Sequence, residues 1–386
     1  MTDTNTPGGL EPRAAHRALD AYFAAAPVLV PFYAVLVAVV LGGAIMLAIG
    51  ENPVVAYWAL LRGMFGTTDR VAASLGRSTP FIGAALAVAF AFRAGLFNIG
   101  AEGQLLVGAT VVAWIGTWGA VDSLPGALAV PVVLLAGVIG GGIYGAIPGV
   151  LKSRTGAHEV ITTIMLNSIA VLTVRWIVTS QDPIVMRDMA SSVPRSRTLP
   201  DHARLPVLVE SVPPLHLSFV IMVLLAAFVW FVLQRTTTGF EVRAVGQSPS
   251  AAKYSGISVA GTIVLVMSMS GAFAGLAGAG EIAGTSGFLS PGVFVAIGFD
   301  SIAIALLARA NPFAVIPAGI LWGSMLSGAA LMQQETGLSI DVVRIVQALV
   351  LLFVAADVIV RHLFGLRRAR TGLDQASLSA GWGASS

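Results

Sequence analysis

Serine, histidine, lysine and carboxylate side chains do most protein chemistry, so their spacing is tested first. "GTSG" at 284–287 carries the short serine-centred pattern of intramembrane proteases. Such a serine needs a histidine base within hydrogen-bond reach. The only histidine after it is His362, which the topology below puts across the bilayer from Ser286, roughly 30 Å away. "HEVIT" at 158–162 has Thr162 where a zinc helix would want its second histidine. Lys152-Ser153 follows Leu151 rather than a glycine, so no phosphate-cradling loop is formed and ATP is not bound that way. There is no cysteine and the five histidines are scattered. Disulfides and thiolate metal sites are excluded, and no metal or other cofactor is expected.

The stretch "RAGLFNIGAEGQ" at 93–104 packs polar side chains and three glycines between apolar runs. Unsatisfied backbone in hydrocarbon costs several kcal/mol, so such a break is tolerated only inside protein or beside a water-filled path. Asn98 can cap a helix starting near Gly100, which puts Glu102 in the first turn, where the helix dipole favours a carboxylate. Asn98, Glu102 and Gln104 then line a solute pathway, or the stretch is an ordinary turn before a capped helix. Asp300 in "GFDSIAIALLAR" poses the same choice: an intramembrane functional carboxylate, or the N-cap of a half-helix after Gly298. Glu281 ends "GAFAGLAGAGE", whose small residues suit close helix packing. Arg175 is expected to snorkel, and Asp341 and Arg344, three apart, to pair locally.

The elements that must position these residues are set by composition. The 386 residues are 56% hydrophobic and 11% charged, against roughly 25% charged in a soluble chain. The fold class expected is an all-α polytopic membrane protein. A span needs about 20 apolar residues, and about ten candidates are read: 28–49, 78–92, 103–121, 126–151, 157–179, 215–234, 260–283, 288–308, 312–332 and 342–360. The eighth is interrupted by Gly298 and Asp300, giving two broken or re-entrant segments with that at 93–104. Most arginines and both lysines, Lys152 and Lys253, fall on the side of the N-terminus, so both termini are expected in the cytoplasm. The net charge of +3 is too small to suggest nucleic-acid binding. The organisation is then a 1–27 tail, a 28–360 membrane domain and a 361–386 tail. An extracytoplasmic loop at 180–214 reads as lid-like. In the cytoplasmic loop at 235–259, Ser248 as N-cap, Pro249 at the first position and Gly256 as the stop predict a helix of about two turns. Gly-rich spans followed by polar-glycine breaks occur in both halves, as in transporters built from inverted repeats.

"RAGLFNIGAEGQLLVGA", "HEVITTIMLNSIA", "GFEVRAVGQSPSAAKYSGI" and "GFDSIAIALLARANP" together resemble the permease subunits of bacterial ATP-binding-cassette importers. The group serves ribose-type sugars, branched-chain amino acids and nucleosides, and the nucleoside-type permeases are the nearest likeness. The resemblance covers residues 75–360 and implies a non-enzymatic, multi-pass subunit of the bacterial plasma membrane. It implies separate ATPase subunits, a second homologous permease and an extracytoplasmic solute-binding lipoprotein as partners. It maps ATPase coupling onto 239–257, hence Arg243, Gln247, Ser248, Pro249, Lys253 and Tyr254. Solute pathway or gating roles fall to Asn98, Glu102, Gln104, Asn167 and Asp300. The solute expected is a nucleoside, with a simple sugar second. An ion-coupled secondary transporter is the rival class, which would work without an ATPase.

Overall fold

The computed structural model describes residues 33, 35–294 and 296–355. The two tails, the start of the first candidate span and the end of the last lie outside them, as does His362. The chain is helical: α1 (Val35–Ile49), α2 (Pro53–Phe65), α3 (Thr68–Arg93), α4 (Ala101–Ile115), a single turn α5 (Gly119–Asp122), α6 (Gly126–Thr155) and α7 (Glu159–Thr179). After a long loop come α8 (Ser218–Arg235), α9 (Thr237–Gln247), α10 (Pro249–Tyr254), α11 (Val259–Glu281), α12 (Ile297–Leu307), α13 (Pro312–Thr336) and α14 (Asp341–Ala355). Among the described residues six helices (α3, α6, α7, α8, α11 with its extension, and α13) are long and apolar enough to cross a membrane, and α1, α2, α4 and α12 are shorter apolar helices.

Several expected boundaries move. The second span starts at Thr68 rather than 78, because Thr67 caps the helix by accepting the Arg70 N–H at 3.3 Å. Helix α2 was not expected: Asn52 and Arg62 bracket an apolar run too short to read as a span. Asn52 caps it, Pro53 opens it, and Gly63 lays it against Gly328 of α13. The eighth candidate, 288–308, is helical only from Ile297. Asp341 and Arg344 do pair, at 3.4 Å.

Helices α6 and α11 form the tightest seam. Gly137, Gly141, Gly145 and Gly149 recur every fourth residue on α6 and meet Met267, Gly271 and Gly275 of α11. A Cβ on Gly141 would sit 2.7 Å from the Gly275 Cα, and one on Gly145 2.5 Å from the Met267 carbonyl oxygen. Without a hydrophobic drive inside lipid, such backbone contact is what holds helices together. Helix α3 lies in the middle, buried from Ser78 to Ala91. The small residues near Glu281 therefore do serve close packing, and α11 runs on past Glu281 as a π-helical turn, Ile282–Ser286.

The 180–214 loop is strapped onto that turn rather than standing free. The N–H groups of Ser196, Leu199 and Leu205 donate to the carbonyls of Leu289, Gly287 and Ala283 at 2.7–2.8 Å. Two short antiparallel strands, β1 (Val207–Val209) and β2 (Leu215–His216), close the loop. His216 is fully buried, with Nδ1 against the Ser218 hydroxyl and Nε2 2.8 Å from the Thr285 hydroxyl. A histidine thus does reach the GTSG motif, contrary to the sequence reading, but it contacts Thr285. Ser286 donates to the Phe288 carbonyl at 2.9 Å instead.

Burial, aided by the Arg204 charge, pushes the His216 imidazole down to about 4. The unfolded chain then binds the extra proton first, so stability is full above about 6.5 and falls as pH drops toward 4, by about 3 kcal/mol in all. Thermal unfolding in detergent should show this fall between pH 6.5 and 4, and His216→Gln should flatten that part of the profile. An unchanged profile in the variant would refute the assignment.

Candidate functional site

The two broken segments meet. Helix α4 has 15 residues and α12 has 11, about 22 and 16 Å long, both short of the roughly 30 Å hydrocarbon core. Their N-terminal ends touch: a Cβ on Gly298 would land on the backbone N and Cα of Glu102. The two helices then run apart. The far end of α4 reaches Leu199 of the strapped loop through Gly116, and the far end of α12 reaches Arg93, whose Nε–H donates to the Ala310 carbonyl at 2.9 Å.

Two positive helix ends placed together need an anion. Glu102 places a carboxyl group there from the first turn of α4. It is buried, and its carboxylate faces the backbone N–H groups of Ala296 and Phe299 at the start of α12. Its Oε2 has no hydrogen-bond partner among the described residues. Asp300 lies close by in the first turn of α12. It is not the N-cap expected from the sequence: Ala296 holds that position in the left-handed region, φ 67°, and the Asp300 N–H donates back to it at 2.9 Å. Reversal of the chain at Ala296 starts the helix at Ile297, four residues earlier than a cap at Asp300 would. The Asp300 carboxylate faces Trp322 of α13, whose indole nitrogen has no hydrogen bond of ordinary geometry among the described residues.

Asn98, Gln104 and Asn167 stitch the first break together. Asn98 Nδ2 donates to Gln104 Oε1 at 2.8 Å and to the Ser270 hydroxyl of α11 at 2.7 Å. Its Oδ1 accepts from the Gly100 N–H and from Gln104 Nε2. The helix begins one residue later than read, with Gly100 at the cap position, so Asn98 serves the turn rather than the helix end. Asn167 of α7 donates to the Ile99 carbonyl at 2.8 Å and accepts the Gly103 N–H at 2.9 Å. All three side chains are buried. The structure therefore brings the five pathway candidates around one break, three bonded into its frame and two at the junction of the half-helices.

The six candidates for coupling lie elsewhere, on α9, α10 and the Ser248 that joins them. Ser248 caps α10 by accepting the Ala251 N–H at 3.3 Å, Pro249 opens it, and Gly256 follows at φ 83°. Helix α9 was missed by the sequence reading, since its capping Thr236 sits in the uninformative run "RTTTG". Arg243, Gln247 and Ser248 line a groove of about 320 Å³ between the two helices. Pro249 and Lys253 face a cleft of about 700 Å³ shared with Lys152. Tyr254 is 94% exposed. Lys152 itself pairs with the buried Glu159 at 2.6 Å.

A close backbone contact joins the two sites. Gly246, near the end of α9, packs on the Arg93 carbonyl oxygen and lies so close to Ala94 that a Cβ would be 3.0 Å from its Cα. Sequence spacing gave no hint of this approach, nor of the part played by Arg93.

Residues 70–355 match the family described as branched-chain amino acid transport system / permease component. The chain is 42% identical over 340 residues to the guanosine ABC transporter permease protein NupP of Bacillus subtilis, covering 87% of this chain and 95% of that one. It is 34% identical to the glucose ABC transporter permease protein TsgB13 of Haloferax volcanii, over 91% and 93% of the two chains. It is 33% identical to the nucleoside ABC transporter permease protein NupB of Lactococcus lactis, over 89% and 94%. No solved structure matches the chain.

Proposed function

This chain belongs to the branched-chain amino acid transport system / permease component family and is a membrane permease of an ATP-binding-cassette importer; on that premise we propose that it carries a nucleoside inward by alternating access. The similarity to the guanosine permease over nearly the full length of both chains carries this reading. A simple sugar is the second reading, favoured by the likeness to the glucose permease.

Permeases of this class work with an ATP-hydrolysing partner and a solute-binding partner. We assign α9 and α10 to the cytoplasmic face and to the ATPase. The groove of Arg243, Gln247 and Ser248 and the cleft of Pro249 and Lys253 form the docking surface. Tyr254 is its aromatic anchor, of the kind that concentrates binding energy once buried. The 180–214 loop faces the solute-binding lipoprotein, and a second, homologous permease completes the path. Asn98, Gln104 and Asn167 hold the frame of the gate, and Glu102 and Asp300 sit where the half-helices part.

The test is reconstitution of the chain with its ATPase, second permease and binding protein in proteoliposomes. Radiolabelled guanosine should accumulate only when ATP and the ATPase are present, and excess glucose should not compete. Accumulation of glucose but not guanosine overturns the solute reading. Accumulation by the chain alone overturns the mechanism.

A further inference from the structure

Helix α12 is held at both ends by one short stretch of chain. A helix ends negatively at its C-terminus and positively at its N-terminus. Residues 93–102 reach the corner that follows the first and the turn that opens the second: the Arg93 guanidinium donates to the carbonyl of Ala310, three residues past the end of α12, and the Glu102 carboxyl group faces the N–H groups of Ala296 and Phe299. The stretch is itself fixed along its length by Asn98, by Asn167 and by Glu159, which accepts the Phe97 N–H at 3.5 Å. At its start, α9 rests on it through Gly246.

The corner that Arg93 grips has no slack. Arg309 and Ala310 both lie in the left-handed region, at φ 51° and 53°. The Ala310 N–H donates back to Ala305 at 2.8 Å, and Asn311 caps α13 immediately afterwards. A displacement of Arg93 is therefore passed to α12 and to the start of α13 instead of being absorbed in the loop.

We propose that Arg93 is a positioning residue of the transport cycle: it transmits the displacement of α9 to α12, which residues 93–102 clamp at both ends. The proposal rests on the ATPase-driven reading above. It names a route that runs past the coupling helices into the broken segments.

The test uses the assembled complex in proteoliposomes. Arg93→Ala keeps the backbone contact with Gly246 and removes the tie to Ala310. Uptake per ATP hydrolysed is expected to fall about tenfold, the size of effect seen for mutations along a coupled network, with hydrolysis itself within twofold of the parent. Arg93→Lys, which can still reach a single carbonyl, should recover most of the loss. The chain has no cysteine, so spin labels on Leu306→Cys of α12 and Ile147→Cys of α6, both at exposed positions, report the motion. Their separation should change with ATP in the parent and stay fixed in Arg93→Ala.

Normal coupling in Arg93→Ala overturns the proposal. So does a parallel fall of uptake, hydrolysis and complex yield, which marks a purely structural residue. A parent complex whose labels move under ATP but which takes up no nucleoside defeats the solute reading and leaves this one standing.

Discussion

Gly141→Leu is expected to leave no folded protein in the membrane. Gly141 and Gly145 meet α11 backbone against backbone, and the Gly141 position is closed by Gly271 and Gly275 together. Extra methylenes in a packed interior cost about 1–3 kcal/mol when neighbours can yield, and more when they cannot. Here the neighbours are a carbonyl and a Cα, so the helices must separate along their whole contact. Loss of that contact removes the main attraction between them, since lipid competes equally well for apolar side chains. The measurement is the yield of monodisperse protein after detergent extraction. Gly119→Ala, at a position with open space around it, is the control and should extract normally. A normal yield for Gly141→Leu would show that the seam is not what holds the two helices.

Gly298→Val is expected to extract and melt close to the parent while abolishing uptake. The substitution drives a branched side chain into the backbone of Glu102. The atoms nearest the added Cβ all belong to Glu102 and none to α6 or α11, so the α6–α11 seam itself is not wedged open. The ends of α4 and α12 are forced apart, and the Glu102 carboxylate loses the N–H groups it faces. Charge near a helix end is worth about 0.3–2 kcal/mol, and that attraction falls off within a turn. A shift of an ångström or so is therefore enough to release the junction. Uptake by the reconstituted complex should drop more than about a hundredfold, in line with what small misplacements cost in a preorganised site. Retained uptake would show that the half-helices need not meet for transport.

What could be read from the sequence was what is decided locally. Ser248, Pro249 and Gly256 fix α10 within nine residues, and the helix lies where they place it. Asp341 and Arg344 pair because three residues on a helix bring them together. The polar stretch at 93–104 announced a break, because no uninterrupted membrane helix would carry it. Why that break is affordable was not legible. The answer lies in partners far along the chain: Asn167, Ser270 and the start of α12. Helix α2 escaped notice because its 13 residues are too few to read as a span, and what seats it is its packing on α13. The assignment of Asp300 as a cap failed because the reversal before it, with Ala296 at positive φ, uses a residue type that gives no warning. His216 was passed over because it precedes the GTSG motif by nearly seventy residues and joins it only through the folded loop.

A junction between helices that contains almost no side chains has no rotamers to exchange. The α6–α11 pair cannot repack as its surroundings shift, so it behaves as a girder, and bending is left to its ends. On the side of α10, α6 ends at Gly156, φ 72°, and the chain enters α11 through Gly256, φ 83°, two residues before its Ser258 cap; both glycines have open space around them. Those two corners are the natural pivots about which a stiff beam can be tilted without being deformed.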